Sequence, residues 1–300
     1  MSKKIIGIGA LLCGFLFLIF VGEIHSLAGD KPSLKMSTNS SALTIASLGF
    51  STQASSKNKS IEILPESENN KSNTSNGSER PAVPILYYHS VAREAGNELR
   101  MPPDQFDAQM AYLQDNGYHS ITLDQFYQAE YQEGTLPDKP FVITFDDGYV
   151  DNYTSAFPIL KKYGFTATIF MVSSYINGEH FLSWPQLTEL ANNGWQIEGH
   201  TVDHPYLSKK DAATVLSELK NSKDVLEKGL GHSVNYLAYP YGDFNNEVIL
   251  AVKNTGYLLA VTTERGWADD KEDAWHVHRV YCFANMGINE FSRRLQNPNY

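Results

Sequence analysis

From Pro84 onward the chain alternates short apolar runs with longer stretches in which apolar residues recur every three or four positions. The runs Pro84–Tyr88, Phe141–Phe145, Ala167–Val172, Trp195–Glu198, Tyr236–Ala238, Tyr257–Val261 and Val277–Cys282 have the length and composition of buried strands. Between and after them, Pro103–Asn116, Tyr153–Tyr163, Trp184–Asn192, Lys209–Lys228, Asn245–Asn254 and Ile288–Leu295 predict helices. The first of these aligns Phe106, Met110 and Leu113 on one face, and Gly164, Gly194 and Gly256 stand where helices should stop. Strands alternating with helices predict a parallel sheet, and about seven such units on one core predict a closed or nearly closed β/α barrel.

The first 80 residues follow neither pattern. Lys3 and Lys4 precede an uncharged run from Ile5 to Gly22, and Ser26-Leu27-Ala28 follows. Residues 1–29 therefore predict either a secretory signal peptide, cut after Ala28, or an uncleaved signal anchor that attaches the chain to a membrane. Positive charge before the run leaves the remainder outside the cytoplasm, secreted or held at the cell surface. From 30 to 80 the chain is dominated by Ser, Asn and Lys, as in Ser-Glu-Asn-Asn-Lys-Ser-Asn-Thr-Ser-Asn-Gly-Ser at 67–78. Such a segment buries too little apolar surface to offset its ordering entropy and reads as a disordered linker. Residues 81–300 form the globular domain, whose length of roughly 220 residues suffices for a single core.

Charge and cysteine content narrow the function. A net charge of −10 without a basic patch excludes nucleic acid as an expected partner. The two cysteines, Cys13 and Cys282, cannot build a disulfide framework or a thiolate zinc site. Cys282 reads as a small core residue. The domain is expected to act as a monomer.

Three short clusters carry the candidate chemistry. Asp146-Asp147-Gly148 places two carboxylates at a strand end, although Asp-Gly alone is also a turn signal. His200 and His204, in His-Thr-Val-Asp-His, are spaced to chelate one divalent ion from a turn of helix; two unrelated surface histidines are the plainer alternative. Tyr239-Pro240-Tyr241-Gly242 is a tight turn able to aim a main-chain N–H at a developing oxyanion, or simply a strand-to-loop turn. His89 also ends a predicted strand and could be a structural histidine or a general acid. In β/α barrels the chemistry sits at the carboxyl ends of the strands, so all four would converge on one rim. Trp184 and Trp195 are core residues or sugar-stacking platforms, with Trp184 the candidate for substrate binding.

The order Phe-Asp-Asp-Gly, His-Thr-x-x-His, Pro-Tyr-Gly resembles the NodB-type polysaccharide deacetylases of carbohydrate esterase family 4, over residues 84–283. The resemblance implies a distorted (β/α)7 barrel and metal-dependent removal of N-acetyl groups. It implies Asp147, His200 and His204 as ligands of a divalent metal, Zn²⁺ first and Co²⁺, Ni²⁺, Fe²⁺ or Mn²⁺ as alternatives. It further implies Asp146 as general base and the Tyr241 N–H as the oxyanion donor. Two departures stand out. Ala238 occupies the place of an arginine that orients the catalytic Asp in most of the family, and the late Leu-x-His that usually supplies the acid is absent. The subgroup acting on poly-β-1,6-N-acetylglucosamine of biofilm matrices is similar on both points, and Leu86-Tyr87-Tyr88-His89-Ser90-Val91 resembles its Tyr-His strand. His89 is accordingly preferred over His276 and His278 as the acid, and Arg279 is the candidate replacement for the missing arginine.

The expected function is thus metal-dependent N-deacetylation of a poly-N-acetylglucosamine exopolysaccharide. A peptidoglycan or chitin-type β-1,4-N-acetylglucosamine deacetylase and a polymer O-acetyl esterase are the enzyme alternatives. A carbohydrate-binding matrix protein with a degenerate site is the non-enzyme one.

Overall fold

The computed structural model describes residues 82–269 and 271–300. The apolar run at 5–22 and the polar linker at 30–80 lie outside these residues. Among the described residues no helix is long and apolar enough to cross a membrane.

The described residues form eight strands: β1 (Ile85–Tyr88), β2 (His119–Ser120), β3 (Pro140–Asp147), β4 (Thr168–Met171), β5 (Gln196–Gly199), β6 (Tyr236–Ala238), β7 (Leu259–Arg265) and β8 (Val277–Tyr281). Every pairing is parallel, and the order β1-β8-β7-β6-β5-β4-β3 closes on itself because β1 also pairs with β3. The result is a seven-stranded barrel of the NodB type, with β2 appended to the start of β3. Seven α-helices among the described residues accompany it: α1 (Pro103–Asp115), α2 (Leu123–Tyr131), α3 (Phe157–Tyr163), α4 (Trp184–Asn192), α5 (Ala212–Leu230), α6 (Asn246–Asn254) and α7 (Ile288–Arg294).

The strand periodicity of two sorts the core into two clusters. Ile85, Val142, Phe170, Tyr236, Ala238, Leu259, Val261 and Val277 pack together within the ring. Leu86, Tyr88, Ile143, Phe145, Ile169, Met171, Ile197, Leu237, Ala260 and Val280 pack outward against the helices. On that outer layer Phe145 stacks on Trp195 at a centroid distance of 5.7 Å and also meets Tyr88 and Phe106.

Helix ends follow local chemistry. Asp211 and Asn245 accept the Thr214 and Val248 amides at 2.9 Å, opening α5 and α6. Gly164 and Gly231 close α3 and α5 in the left-handed conformation.

The structure departs from the sequence reading in three places. β2 and α2 were not expected. Helix α2 carries the signature Thr122-x-x-Gln125, a reciprocal capping box, and its Leu123 and Phe126 join the inner cluster with Ile121. Leu123 N–H donates to Gln196 at the start of β5, so α2 covers the amino-terminal end of the barrel, opposite the rim where the strands finish. The predicted helix Tyr153–Tyr163 opens as a π-helical turn, Asn152–Ala156, before α3. Strand β7 runs on to Arg265, four residues past its expected end, and shifts register against β8.

Two outcomes test this account. Phe145→Ala removes the centre of the outer aromatic cluster and should lower unfolding free energy by about 3–5 kcal/mol in a urea titration. Cys282 is buried, and burial pushes its thiol pKa up to about 12. The native thiol should therefore resist a thiol reagent at pH 8 and react once the chain is unfolded. The linkage has a definite sign: below about pH 7.5 the group is neutral in both states, and above about pH 8.5 ionisation of the unfolded chain alone should erode stability.

Candidate active site

Asp146 and Asp147 are the last two residues of β3, rather than following it. Strand alternation points Thr144 and Asp146 into the ring, where Arg279 from β8 meets them. Its guanidinium donates to Asp146 Oδ1 at 2.8 Å and Oδ2 at 2.7 Å, to Thr144 Oγ1 at 3.1 Å, and to the Thr262 carbonyl at 2.8 Å. Arg279 is 0% exposed and Asp146 3%, so neither charge has water to fall back on. Burial alone would raise the Asp146 pKa, but the Arg279 guanidinium outweighs it and holds the carboxyl well below the usual range. The face of the guanidinium lies 4.2 Å from the Tyr87 ring centroid. An arginine on β8 thus stands against Asp146 where β6 carries only Ala238.

Asp147 would face outward if β3 continued regularly. Instead it has φ +72° and is followed by Gly148 at φ +83°, a position where any Cβ would fall 2.1 Å from Met171 Sδ. This turn brings both carboxylates to the same cleft. Asp147 Oδ1 lies 3.5 Å from His200 Nε2 and 3.3 Å from His204 Nε2, and the two imidazole nitrogens are 3.1 Å apart.

The histidine pair does not sit on a turn of helix. His200 follows β5, and the segment to His204 is a loop in which Thr201 and His204 have φ +66° and +55°. Thr201 Oγ1 accepts the His204 amide at 3.1 Å, and Glu218 of α5 accepts the Val202 and Asp203 amides at 2.9 Å. These bonds fold the loop back so that two residues four apart can meet. Asp203 is exposed, outside the cluster.

The donor set fits a divalent cation. His200 Nδ1 is 2.7 Å from the Ala238 carbonyl, which fixes that nitrogen as the donor and turns the Nε2 lone pair toward Asp147 and His204. Ligands around one tetrahedral zinc-sized ion stand about 3.4 Å apart, and the three separations here are of that size. Without a cation or proton between them, two nitrogen lone pairs and a carboxylate at such distances repel. Burial, then the neighbouring His200, lowers His204 to about 4, keeping it neutral and free to ligate. Burial would also lower His200, but the Asp147 carboxylate outweighs it and raises the pKa.

His89 follows β1 and lines the same cleft. Its Nδ1 is buried without a hydrogen-bond partner, and burial lowers its pKa against the pull of Asp146 and Asp147. Its backbone is held firmly: the His89 carbonyl accepts from Asn152 of the π-helical turn at 2.7 Å. Next to it, Asp151 accepts from Ser90 Oγ at 2.6 Å, the Val91 amide at 2.8 Å and Arg100 at 3.1 Å.

Tyr241 closes the far side. The turn Pro240–Gly242 gives it φ +60°, and its ring stacks on Tyr206 at 4.0 Å and 8° and touches His204 at 4.4 Å. The cleft, of about 420 Å³, is further lined by Tyr149, Tyr175 and Phe181, whose rings pack on one another. These aromatic walls were not singled out in the sequence, where isolated Tyr and Phe carry no spacing signal. Trp184 does not reach the cleft: it opens α4 and its ring lies against Gly229 of α5, where a Cβ would come within 2.2 Å. Trp195 is core. His276 and His278 lie together with Glu264 in a separate group.

A closed β/α barrel with a carboxylate–imidazole–imidazole donor set beside an ion-paired aspartate defines a hydrolase-type rim. Comparison with known proteins agrees. Residues 133–260 match the family model described as polysaccharide deacetylase. YxkH of Bacillus subtilis (strain 168), provisionally named a polysaccharide deacetylase, is 39% identical over 73% of this chain and 78% of its own. The poly-beta-1,6-N-acetyl-D-glucosamine N-deacetylase of Staphylococcus aureus (strain MRSA252) is 28% identical over 65% of this chain and 72% of its own. The solved structure of the Streptococcus pyogenes deacetylase PplD superposes with a TM-score of 0.69 at 29% identity, over 72% of this chain and 99% of that one. The chain belongs to the polysaccharide deacetylase family.

Arg279→Met should lower stability by about 3–5 kcal/mol, because it leaves Asp146 buried and unpaired. A urea titration of the metal-free protein reads this independently of activity; an unchanged midpoint would show that the pair is not structurally required.

Proposed function

We propose that this chain removes N-acetyl groups from a poly-β-1,6-N-acetylglucosamine exopolysaccharide, outside the cytoplasmic membrane, in a reaction that requires a divalent cation of the zinc type. The observation that carries the reading is the convergence of Asp147, His200 and His204 with the Arg279-held Asp146 in one cleft. The linkage rests on the similarity to the staphylococcal N-deacetylase and on His89 directly following β1.

Asp147, His200 and His204 would hold the cation, which would supply Lewis-acid polarisation of the acetamide and a more acidic water. Asp146 takes the proton from the attacking water. Both its oxygens are engaged by Arg279, yet each keeps a lone pair for that proton. Arg279 keeps the carboxylate ionised and fixes its plane, acting as a positioning residue. The Tyr241 main-chain N–H stabilises the negative charge that develops on the carbonyl oxygen. His89 delivers a proton to the sugar nitrogen as the C–N bond breaks, so that acetate and a free amine leave. The stacked Tyr241–Tyr206 pair and the Tyr149–Phe181–Tyr175 wall offer apolar faces to sugar rings on either side. The chain works as a monomer, released by signal cleavage or held to the membrane by the run at 5–22, with the 30–80 linker giving it reach.

The test is acetate release by the full-length protein on β-1,6- and β-1,4-linked N-acetylglucosamine oligomers and on O-acetylated xylan, with Zn²⁺ or a chelator. Release chiefly from the β-1,6 oligomer, abolished by chelation and restored by Zn²⁺, is expected. Undiminished release in chelator would refute the metal-dependent reading. Release chiefly from the β-1,4 oligomer would transfer the substrate to wall or chitin-like polymers, and release from xylan alone would make the protein an esterase. His89→Ala should lower kcat by about 10²–10⁴-fold with metal content unchanged.

A further inference from the structure

We propose a second divalent-cation site on the flank of the barrel, formed by Glu264 near the end of β7 with His276 and His278 at the start of β8. One ligand atom from each of the three lies within 4.8 Å of the others. Glu264 stands between the imidazoles: Oε1 is 3.1 Å from His276 Nε2, and Oε2 is 3.2 Å from His278 Nε2. The donor types, two imidazoles and a carboxylate, suit zinc and its transition-metal neighbours rather than magnesium or calcium.

Two features separate this group from an ordinary surface ion pair. The first is the outer support of His278. Glu272 accepts from its main-chain N–H at 3.1 Å, and the Glu272 Oε1–His278 Nδ1 distance is 2.5 Å. A carboxylate on Nδ1 fixes the tautomer and turns the Nε2 lone pair toward Glu264, the arrangement in which metal-bound histidines are held. The second is His276 Nε2. That atom is buried and makes no hydrogen bond, although it lies 3.1 Å from a carboxylate oxygen. A proton on it would be poorly aimed at Glu264, whereas a cation between the three residues meets every lone pair at once.

The place in the fold gives the site a consequence. Glu264 comes from β7, and His278 adjoins Arg279 on β8, where the β7–β8 register shifts between Val261 and Arg265. A cation here ties the two strands at their irregularity, directly behind the arginine that holds Asp146. The ion is structural and takes no part in the hydrolysis.

The experiment is a count of Zn²⁺ bound per full-length chain by equilibrium dialysis, for wild type, His200→Ala, Glu264→Gln and the double variant. Two ions on wild type, one on either single variant and none on the double are expected. Glu272→Gln should retain the second site with about 10–100-fold weaker affinity. In the His200→Ala background Zn²⁺ should raise the melting temperature, and adding Glu264→Gln should remove that rise. A wild-type count of one that His200→Ala abolishes overturns the proposal, as does a count of two that Glu264→Gln leaves intact. A single ion lost in Glu264→Gln but not in His200→Ala would support the flank site and sink the catalytic assignment, so the two readings fail separately. Glu264 is exposed, so its isosteric amide is compatible with folding; a circular dichroism spectrum matching wild type verifies this.

Discussion

The ion pair between Asp146 and Arg279 is the constraint on which the rest of the molecule turns. Each of these charges would cost several kcal/mol to bury alone. Together, with both carboxylate oxygens, Thr144 Oγ1 and the Thr262 carbonyl engaged, the guanidinium and the carboxylate are satisfied in the lumen. The partners come from β3 and β8, the two strands that flank β1, whose pairing with β3 closes the ring. Closing the barrel and pairing Asp146 are therefore one event: an open sheet would leave Asp146 without its guanidinium.

The rim above this pair is held in unusual backbone conformations. Among the described residues six non-glycines have positive φ, and four of them, Asp147, Thr201, His204 and Tyr241, belong to the candidate site. Such conformations cost of the order of 1–3 kcal/mol each and persist where the surroundings over-determine them. Here the surroundings are the Glu218 carboxylate under the histidine loop, the Thr201 hydroxyl, and the parallel strands that launch each loop. What they achieve is orientation. Asp147 turns back beside Asp146, His204 folds onto His200, and Tyr241 closes over both.

The elements with a regular apolar repeat were legible in advance. Trp184–Asn192 and Tyr236–Ala238 have the predicted bounds, and most other strands and helices shift by a residue or two at their ends. The misses have physical causes. Helix α2 follows a strand of only two residues, too short to show an apolar run, and its start is marked by the Thr122–Gln125 cap. The π-helical turn before α3 has no signature in the pattern of polar and apolar residues. The site was legible wherever residues lie close in sequence, as in Asp146-Asp147 and His200–His204. The matched family segment, 133–260, includes those motifs and leaves out His89 and Arg279. His89 enters the cleft just after the first strand, and Arg279 reaches Asp146 from the last. Trp184 shows the converse, since a tryptophan is equally at home against a glycine in a helix interface and against a sugar.

The amino-acid sequence by itself determined the alternation of strand and helix, hence a parallel barrel, and the donor chemistry gathered in two short motifs. Both are local: side-chain period and residue type act within a few positions of each other. The sequence already offered Arg279 for the arginine missing at Ala238, and tertiary structure supplied its contact with Asp146; tertiary structure alone decided that a helix-spaced histidine pair would be a loop, and that Glu264 would meet His276 and His278. Those outcomes depend on ring closure, backbone handedness and strand register. They are settled only when segments far apart in the chain compete for the same volume.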